Sequence, residues 1–234
     1  MLTRRKFLER SAQVSMATIL SSAFNGKRAV AMPLIPDKNK LLNLPANFSY
    51  QIIDKFSELM DDGFRVPGLP DGMACFDLDA RTFALMRNHE LDGQKTIAAF
   101  DANTAPPAKS YTKDCFGGVT RVVIDKKTLK PISRNLVLNG THLNCAGGIS
   151  PWGYLTCEES DKKNHGYVFL CDPKASSIQT PQKILVYGRF RHEAACVDPK
   201  TNVAYLTEDR TDSCFYRFFP KNKSTPFVGK LQAL

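Results

Sequence analysis

The chain has 234 residues, of which 43% are hydrophobic and 24% are charged, and its formal net charge is +9. Residues 1–31 hold six Lys or Arg and one Glu, a contribution of +5, which leaves +4 for the rest of the chain. No basic cluster interleaved with aromatic residues stands out in that remainder, so we expect no nucleic-acid partner.

Residues 1–31 have the order of a twin-arginine export signal. Thr3-Arg4-Arg5-Lys6-Phe7-Leu8 precedes a modest apolar stretch, and Ala29-Val30-Ala31 supplies a small-x-small cleavage site. The apolar stretch is too short and too rich in serine for a stable membrane span. A basic amphipathic helix is the alternative interpretation. We expect the twin-arginine export machinery as a partner and a mature protein that is periplasmic or secreted.

The cysteine and histidine content allows two further expectations. Seven cysteines cannot all pair with each other, so at least one thiol is free, buried or a ligand. His165 lies in a polar turn, where we expect it to be exposed. Five cysteines fall within predicted strands and are expected in the core: Cys75, Cys157, Cys171, Cys196 and Cys214.

Residues 32–63 are typical of an extended, proline-marked lead-in, in which residues 50–60 could form a helix. From residue 64 to residue 234, short β-branched and aromatic runs alternate with turns that begin with Asp. Asp side chains cap such reversals. These residues predict an all-β domain with an irregular insertion at residues 91–116.

Three turn aspartates suggest a repeat. Asp79, Asp125 and Asp172 lie 46 and 47 residues apart, close to the roughly 40–50 residues of a propeller blade. Asp198 follows after only 26 residues, so the repeat is imperfect, and a β-sandwich is the alternative. At about 45 residues per blade the chain supplies three to four blades. We therefore expect an incomplete β-propeller and the N-terminal part of a longer protein.

Three short apolar runs end in acids, and polar residues precede the strands that pair with them. In an antiparallel hairpin, the start of the first strand and the end of the second lie at the same edge. The sequence therefore predicts one cluster of ligands at that edge. Its segments are Ala84 to Glu90, Tyr154 to Glu159 and Tyr205 to Asp209, preceded by Asp71-Gly72, Asn144-Cys145 and His192-Glu193.

Carboxylates that converge in this way repel each other unless cations bind them. Carboxylate and amide oxygens suit calcium, and a thiolate at Cys145 favours a transition metal such as iron. The other candidate ligands are Glu90, Glu158, Glu159, Glu193, Glu208, Asp209, Asn88 and Asn144. Arg189 and His192 are weaker candidates for binding a substrate anion, and Arg87 and Arg191 could do the same or form salt bridges. No Ser-His-Asp set is apparent, so no catalytic residue is assigned.

Together these segments resemble the PhoX-type alkaline phosphatases. The resemblance is carried by Arg87-Asn88-His89-Glu90, Asn144-Cys145-Ala146-Gly147-Gly148, Thr156-Cys157-Glu158-Glu159, His192-Glu193-Ala194 and Tyr205-Leu206-Thr207-Glu208-Asp209. It implies a β-propeller that holds iron and calcium at its channel mouth and hydrolyses small phosphate monoesters outside the cytoplasm.

The resemblance also makes Cys145 an iron ligand and places Glu159, Glu193 and Glu208 in the metal cluster. Family members are longer, and their later half would bring further ligands and phosphate-binding arginines. We expect the complete protein to be a monomer. Two rival functions remain open: a calcium-dependent propeller lactonase or esterase, and a non-catalytic binding propeller.

Overall fold

The computed structural model describes residues 32–234, and the export signal predicted for residues 1–31 lies outside the described residues. The chain divides into two compact units, Met1–Ile52 and Ile53–Leu234. In the described part of the first unit, β1 (Leu34–Ile35) pairs with β2 (Leu44–Pro45) as an antiparallel hairpin.

The second unit contains three antiparallel sheets, each of four strands that pair in chain order. Sheet I consists of β3 (Pro70–Asp77), β4 (Thr82–His89), β5 (Gly117–Asp125) and β6 (Pro131–Thr141). Sheet II consists of β7 (Asn144–Ser150), β8 (Gly153–Glu158), β9 (Val168–Cys171) and β10 (Gln182–Lys183). Sheet III consists of β11 (His192–Val197), β12 (Ala204–Glu208), β13 (Phe215–Pro220) and β14 (Gly229–Ala233). The all-β prediction is confirmed.

Helical structure within residues 32–234 is limited to two short 3-10 helices, Lys95–Ile97 and Leu185–Tyr187. The predicted helix at residues 50–60 is absent, because this segment is irregular and buries Met60 against the insertion rather than coiling on itself. No helix in the described part of the chain is long and apolar enough to cross a membrane.

Aspartates organise the turns, as predicted. The Asp79 carboxylate accepts hydrogen bonds from the amides of Arg81 and Thr82, which fixes the β3–β4 reversal. Equivalent bonds from the carboxylate to an amide two residues later occur at Asp125, Asp172 and Asp198.

The spacing of these aspartates does not equal the number of residues from one sheet to the next. Asp79 lies in the first turn of sheet I and Asp125 in the third turn of the same sheet. The insertion at residues 91–116 separates β4 from β5 and lengthens the interval between them. Asp125 and Asp172 occupy equivalent third turns, so only that interval compares two sheets.

The first strands of the three sheets lie side by side, with β7 between β3 and β11. Glycines permit this approach. A Cβ atom at Gly148 would lie 1.9 Å from the carbonyl oxygen of Ala195, and one at Gly72 would lie 2.7 Å from the Cα of Ala146. The first strands of neighbouring sheets therefore meet backbone to backbone, which brings their starting residues together.

Apolar side chains fill the space between neighbouring sheets. Met86 of sheet I packs in one core with Tyr154 and Phe169 of sheet II, and Leu155 of sheet II packs in another with Leu206 of sheet III. Each large apolar side chain buried in this way contributes about 1.5–3 kcal/mol. These two cores hold the three sheets in a fixed arrangement.

The irregular insertion forms a third core instead of an exposed loop. Its Leu91, Ala99 and Phe100 are buried together with Met60 and Leu136. This core packs against sheet I through Leu136 of β6, and the insertion then leads into β5. The insertion is therefore part of the folded unit.

Two expectations about buried residues are wrong. Cys157 and Cys171 are buried as predicted, but Cys75, Cys196 and Cys214 are exposed. His165, expected on the surface, is 1% exposed because it lies beneath the end of the insertion.

Candidate metal centre

Each sheet has a β-bulge at the same place. The pairing shifts by one residue after Pro70, after Asn144 and after His192, where the first strand of each sheet meets the end of the second. A bulge inserts one residue and re-aims the side chains beside it. The residues that follow these positions are Asp71, Cys145 and Glu193.

The end of each second strand supplies an acid beside the bulge. His89, Glu158 and Glu208 pair with the residues that precede the three bulges. The next residues along the chain are Glu90, Glu159 and Asp209. Each sheet thus places two potential metal ligands where its first strand begins and its second strand ends. The six residues are Asp71, Glu90, Cys145, Glu159, Glu193 and Asp209.

Five of these six positions form two groups whose potential ligand atoms lie within 4.8 Å of one another. The first group is Glu90, Cys145 and Glu159, and the second is Glu159, Glu193 and Asp209. Each group combines the terminal acid of one sheet with the bulge residue and terminal acid of the next. Glu159 belongs to both groups.

The electrostatics of the first group are unfavourable without a cation. Burial and the charges of Asp71, Glu159 and Glu193 raise the pKa of Glu90. Burial and the hydrogen bond to Glu193 raise the pKa of the Cys145 thiol, whose sulfur lies 3.2 Å from Glu193 Oε1. A bound cation reverses this effect, because its charge favours ionised ligands. Thiolate and carboxylate donors in one group suit a metal ion.

Asp71, whose segment was predicted as part of the cluster, was not assigned as a ligand from the sequence, and it lies outside the two groups. It occupies the bulge position of sheet I, equivalent to Cys145 and Glu193, and its charge helps to raise the pKa of Glu90. A usable signal was present, since a polar residue followed by Gly or Ala occurs at all three bulges.

Four residues predicted as ligands lie outside the two groups: Glu158, Glu208, Asn144 and Asn88. Both oxygens of Glu158 are used by His165 and by the amides of His142, Gly166 and Tyr167. Glu158 precedes Glu159, and successive strand side chains point to opposite faces. It therefore points away from the group that contains Glu159.

The same alternation separates Glu208 from Asp209. Glu208 accepts a hydrogen bond from the Tyr216 hydroxyl at 2.9 Å. Asn144 is fully buried between the hydroxyls of Thr141 and Thr156. Neither lies in the two groups of potential ligands.

Asn88 positions the bulge of the neighbouring sheet. Its amide nitrogen donates to the carbonyl oxygens of Cys145 and Ala146, at 2.9 and 2.7 Å. Its Oδ1 atom is buried and has no hydrogen-bond partner among the described residues. Asn88 thus links sheet I to the backbone of Cys145.

An open pocket with a volume of about 460 Å³ adjoins the second group. Arg191 donates to Glu159 and to the Asp209 carbonyl oxygen, and Arg210 donates to Asp161 at 2.8 Å. The lining combines these two guanidinium groups with the carboxylates of Asp161, Asp209 and Asp212. Guanidinium groups are the side chains that bind phosphate with bidentate hydrogen bonds.

The predicted substrate residues lie elsewhere. Arg189 donates to the carbonyl oxygens of Asp161, Lys162 and His165 and so holds a loop. His192 is fully buried beneath the ring of Phe190, at 3.6 Å between ring centroids. Burial lowers its pKa to about 4.

Arg87 forms a buried ion pair with Asp54 at 2.8 Å. Arg191 is therefore the one residue of the four considered as anion ligands from the sequence that lines the pocket beside the second group. The other three are Arg87, Arg189 and His192.

Comparisons with known proteins give one family. A sequence profile described as "Alkaline phosphatase PhoX" matches residues 30–139 and 128–233, and a comparison with curated proteins found no match. The structure is similar to "Pseudomonas fluorescens PhoX in complex with vanadate, a transition state analogue", with a TM-score of 0.54 and 19% identity. That similarity covers 72% of this chain and 46% of the other, so the chain spans about half the length of that relative. Because the profile covers most of its residues, the chain belongs to the PhoX alkaline phosphatase family.

Proposed function

We propose that this protein is an alkaline phosphatase that hydrolyses small phosphate monoesters at an iron and calcium site. The carrying observation is the pair of overlapping ligand groups that share Glu159. Membership of the PhoX family supports the same activity.

The donor atoms favour a different ion in each group. Cys145 offers a soft thiolate beside the carboxylates of Glu90 and Glu159, which suits iron. Glu159, Glu193 and Asp209 offer oxygen only, which suits calcium. Asp71 is a further candidate ligand because its bulge position is equivalent to those of Cys145 and Glu193. When bound, the ions would supply positive charge for the phosphate oxygens and an activated water nucleophile.

Arg191 and Arg210 would bind and orient the substrate. Phosphoryl transfer requires donors that neutralise the oxygens of the transferred group and hold it in line with its nucleophile. Both guanidinium groups line the open pocket beside the all-oxygen group. The pocket is wide and polar, which suits varied phosphate monoesters better than one shaped substrate.

The proposal includes the architecture around the site. The three sheets would be consecutive blades of a larger β-propeller, with β3, β7 and β11 lining its channel and the two ligand groups at the channel mouth. Residues 1–31 would direct twin-arginine export, so the monomeric enzyme would act in the periplasm or outside the cell. Residues 32–63 would be a lead-in to the propeller at residues 64–234.

The test uses the natural protein that carries this sequence. We expect purified protein to contain both iron and calcium by mass spectrometry and to hydrolyse p-nitrophenyl phosphate best at alkaline pH. A chelator should abolish the activity, and the two metals together should restore it.

The rival functions give different results in the same assays. Calcium without iron, with hydrolysis of a lactone and not of the phosphate ester, would identify a calcium-dependent lactonase or esterase. Folded, metal-loaded protein that hydrolyses neither substrate would identify a binding propeller.

A further inference from the structure

A second cluster of reactive side chains lies apart from the two ligand groups. It joins the end of the 91–116 insertion to the loop that follows β8. The sulfur of Cys115 lies 3.5 Å from Nε2 of His165 and 3.1 Å from Nζ of Lys162. Lys162 also forms an ion pair with Asp114 at 2.8 Å.

His165 is held in place from its other side. Its Nδ1 atom lies 2.7 Å from Oε1 of Glu158, and that carboxylate also accepts three backbone amide bonds. A thiol, an imidazole and a fixed carboxylate in this order are the parts of an activated nucleophile. The carboxylate orients the ring and stabilises its protonated form.

The surroundings of Cys115 differ from those of the other buried cysteines. The hydrogen bonds from His165, Thr112 and Lys162 outweigh burial and lower the pKa of the Cys115 thiol. Bonds to Cys115 and Glu158 outweigh burial and raise the pKa of His165 to about 9. Burial instead raises the thiol pKa of Cys157 and Cys171.

We propose that Cys115 is a reactive thiolate and the site at which hydrogen peroxide oxidises this protein. The thiolate attacks one peroxide oxygen, so that an S–O bond forms while the O–O bond breaks. Sulfur is oxidised to sulfenic acid, and the departing hydroxide takes a proton from His165 and leaves as water. The thiol itself is buried, so peroxide would reach it by displacing the Lys162 side chain, which contacts the sulfur and is 38% exposed. This chemistry is independent of the proposed phosphatase site.

The test measures which cysteine peroxide oxidises first. The protein is treated with equimolar hydrogen peroxide at pH 6.5, trapped with dimedone and mapped by peptide mass spectrometry. We expect label on Cys115 before the exposed Cys75, Cys196 and Cys214. Label on the exposed cysteines first, or none on Cys115, would overturn the proposal.

Two matched surface variants test the mechanism. Lys162→Met should lower the rate of Cys115 labelling at pH 6.5 by about tenfold or more, and the neighbouring Lys163→Met should leave it unchanged. Circular dichroism checks that both variants fold. Equal rates in the two variants would show that Lys162 does not activate the thiol.

Discussion

Glu159 has the greatest expected effect at the scale of single residues, because its carboxylate belongs to both ligand groups. Replacement by Gln removes one charged donor from each group. We expect Glu159→Gln to lose iron and to weaken calcium binding by at least about tenfold, or 1.4 kcal/mol. Metal content and calcium titration calorimetry measure this. Glu208→Gln is the control, since Glu208 bonds to Tyr216 outside the groups; equal losses in both variants would contradict the proposal.

Cys145→Ser should separate the two metals. Serine is a poor substitute for a thiolate, whereas the group of Glu159, Glu193 and Asp209 remains intact. We expect loss of iron and of phosphatase activity in the natural protein, with calcium retained. Elemental analysis of the purified variant measures its iron and calcium content. A normal iron content would show that Cys145 is not an iron ligand.

Arg191 and Arg210 should act on substrate binding more than on folding. Both are partly exposed, and their ion pairs lie at the rim of a pocket. We expect Arg210→Gln to raise KM for p-nitrophenyl phosphate by about tenfold, which corresponds to 1.4 kcal/mol of lost binding. Steady-state kinetics measure this change. Unchanged KM and kcat would exclude Arg210 from the substrate site, with Arg189→Gln as the comparison.

The types of residue near the site were predictable from the sequence, but the directions in which their side chains point were not. Glu158 and Glu159 are neighbours, and only the alternation of the strand shows which one turns away from the cluster. The bulge that aims Cys145 is a property of pairing between strands, so no local pattern announces it. The segment Asp71-Gly72 was predicted as part of the cluster, but Asp71 was not assigned as a ligand because its equivalence to Cys145 depends on the bulges.

Among the secondary-structure elements, the first strands of neighbouring sheets approach closely at glycines. We expect Gly148→Ala to be strongly destabilising, because its Cβ would collide with the Ala195 carbonyl oxygen of the next sheet. The overpacking cost is about 1–3 kcal/mol or more. Calcium binding should weaken as well, since sheets II and III supply the second group.

The control for this change is Gly63→Ala. Gly63 has a positive φ of 84°, which Gly148 does not have, and nothing lies within 4 Å of a Cβ atom added to Gly63. Thermal unfolding and calcium titration are measured for both variants. Gly148→Ala tests the steric collision, and Gly63→Ala tests backbone strain without a collision. A smaller loss of stability in Gly148→Ala than in Gly63→Ala would contradict the close packing of the first strands.

The loop after β8 depends on the buried pair of His165 and Glu158. We expect His165→Asn to destabilise the protein by about 3–5 kcal/mol at pH 6, because a buried carboxylate loses its charged partner. The folded pKa of His165, about 9, lies above its ordinary value of 6.5. The stabilisation is therefore complete below about pH 6.5 and is lost as pH rises through 9. Urea unfolding at pH 6 and pH 10 should show the difference shrink; a constant difference would contradict the ionised pair.

The turns were the most predictable elements, because the Asp residues act on amides only two or three residues away. The order of strands within each sheet follows from those turns. The interval from Asp79 to Asp125 was misleading because these residues lie in two different turns of the same sheet. The insertion between β4 and β5 lengthens that interval until it resembles the spacing of two blades. His165 and Met60 were misjudged for a related reason: distant segments bury them.

At the scale of the whole molecule, bound ions should stabilise the arrangement of the sheets, because each ligand group joins two of them. Calcium at about 100 times its dissociation constant adds about 2.7 kcal/mol to folding stability. For a protein of this size, that corresponds to a rise in Tm of about 5–10 °C. Differential scanning calorimetry with calcium and with a chelator measures the shift, and magnesium serves as the control. An unchanged Tm would show that calcium does not join the sheets.

The contact between Arg191 and Glu159 joins the proposed metal site to the proposed phosphate pocket. In the structure this guanidinium group is engaged by the carboxylate that both ligand groups share. Glu159 therefore contacts both a guanidinium group of the pocket and the other potential ligands of the two groups. Under the proposed function, a change at Arg191 should alter metal binding as well as phosphate binding.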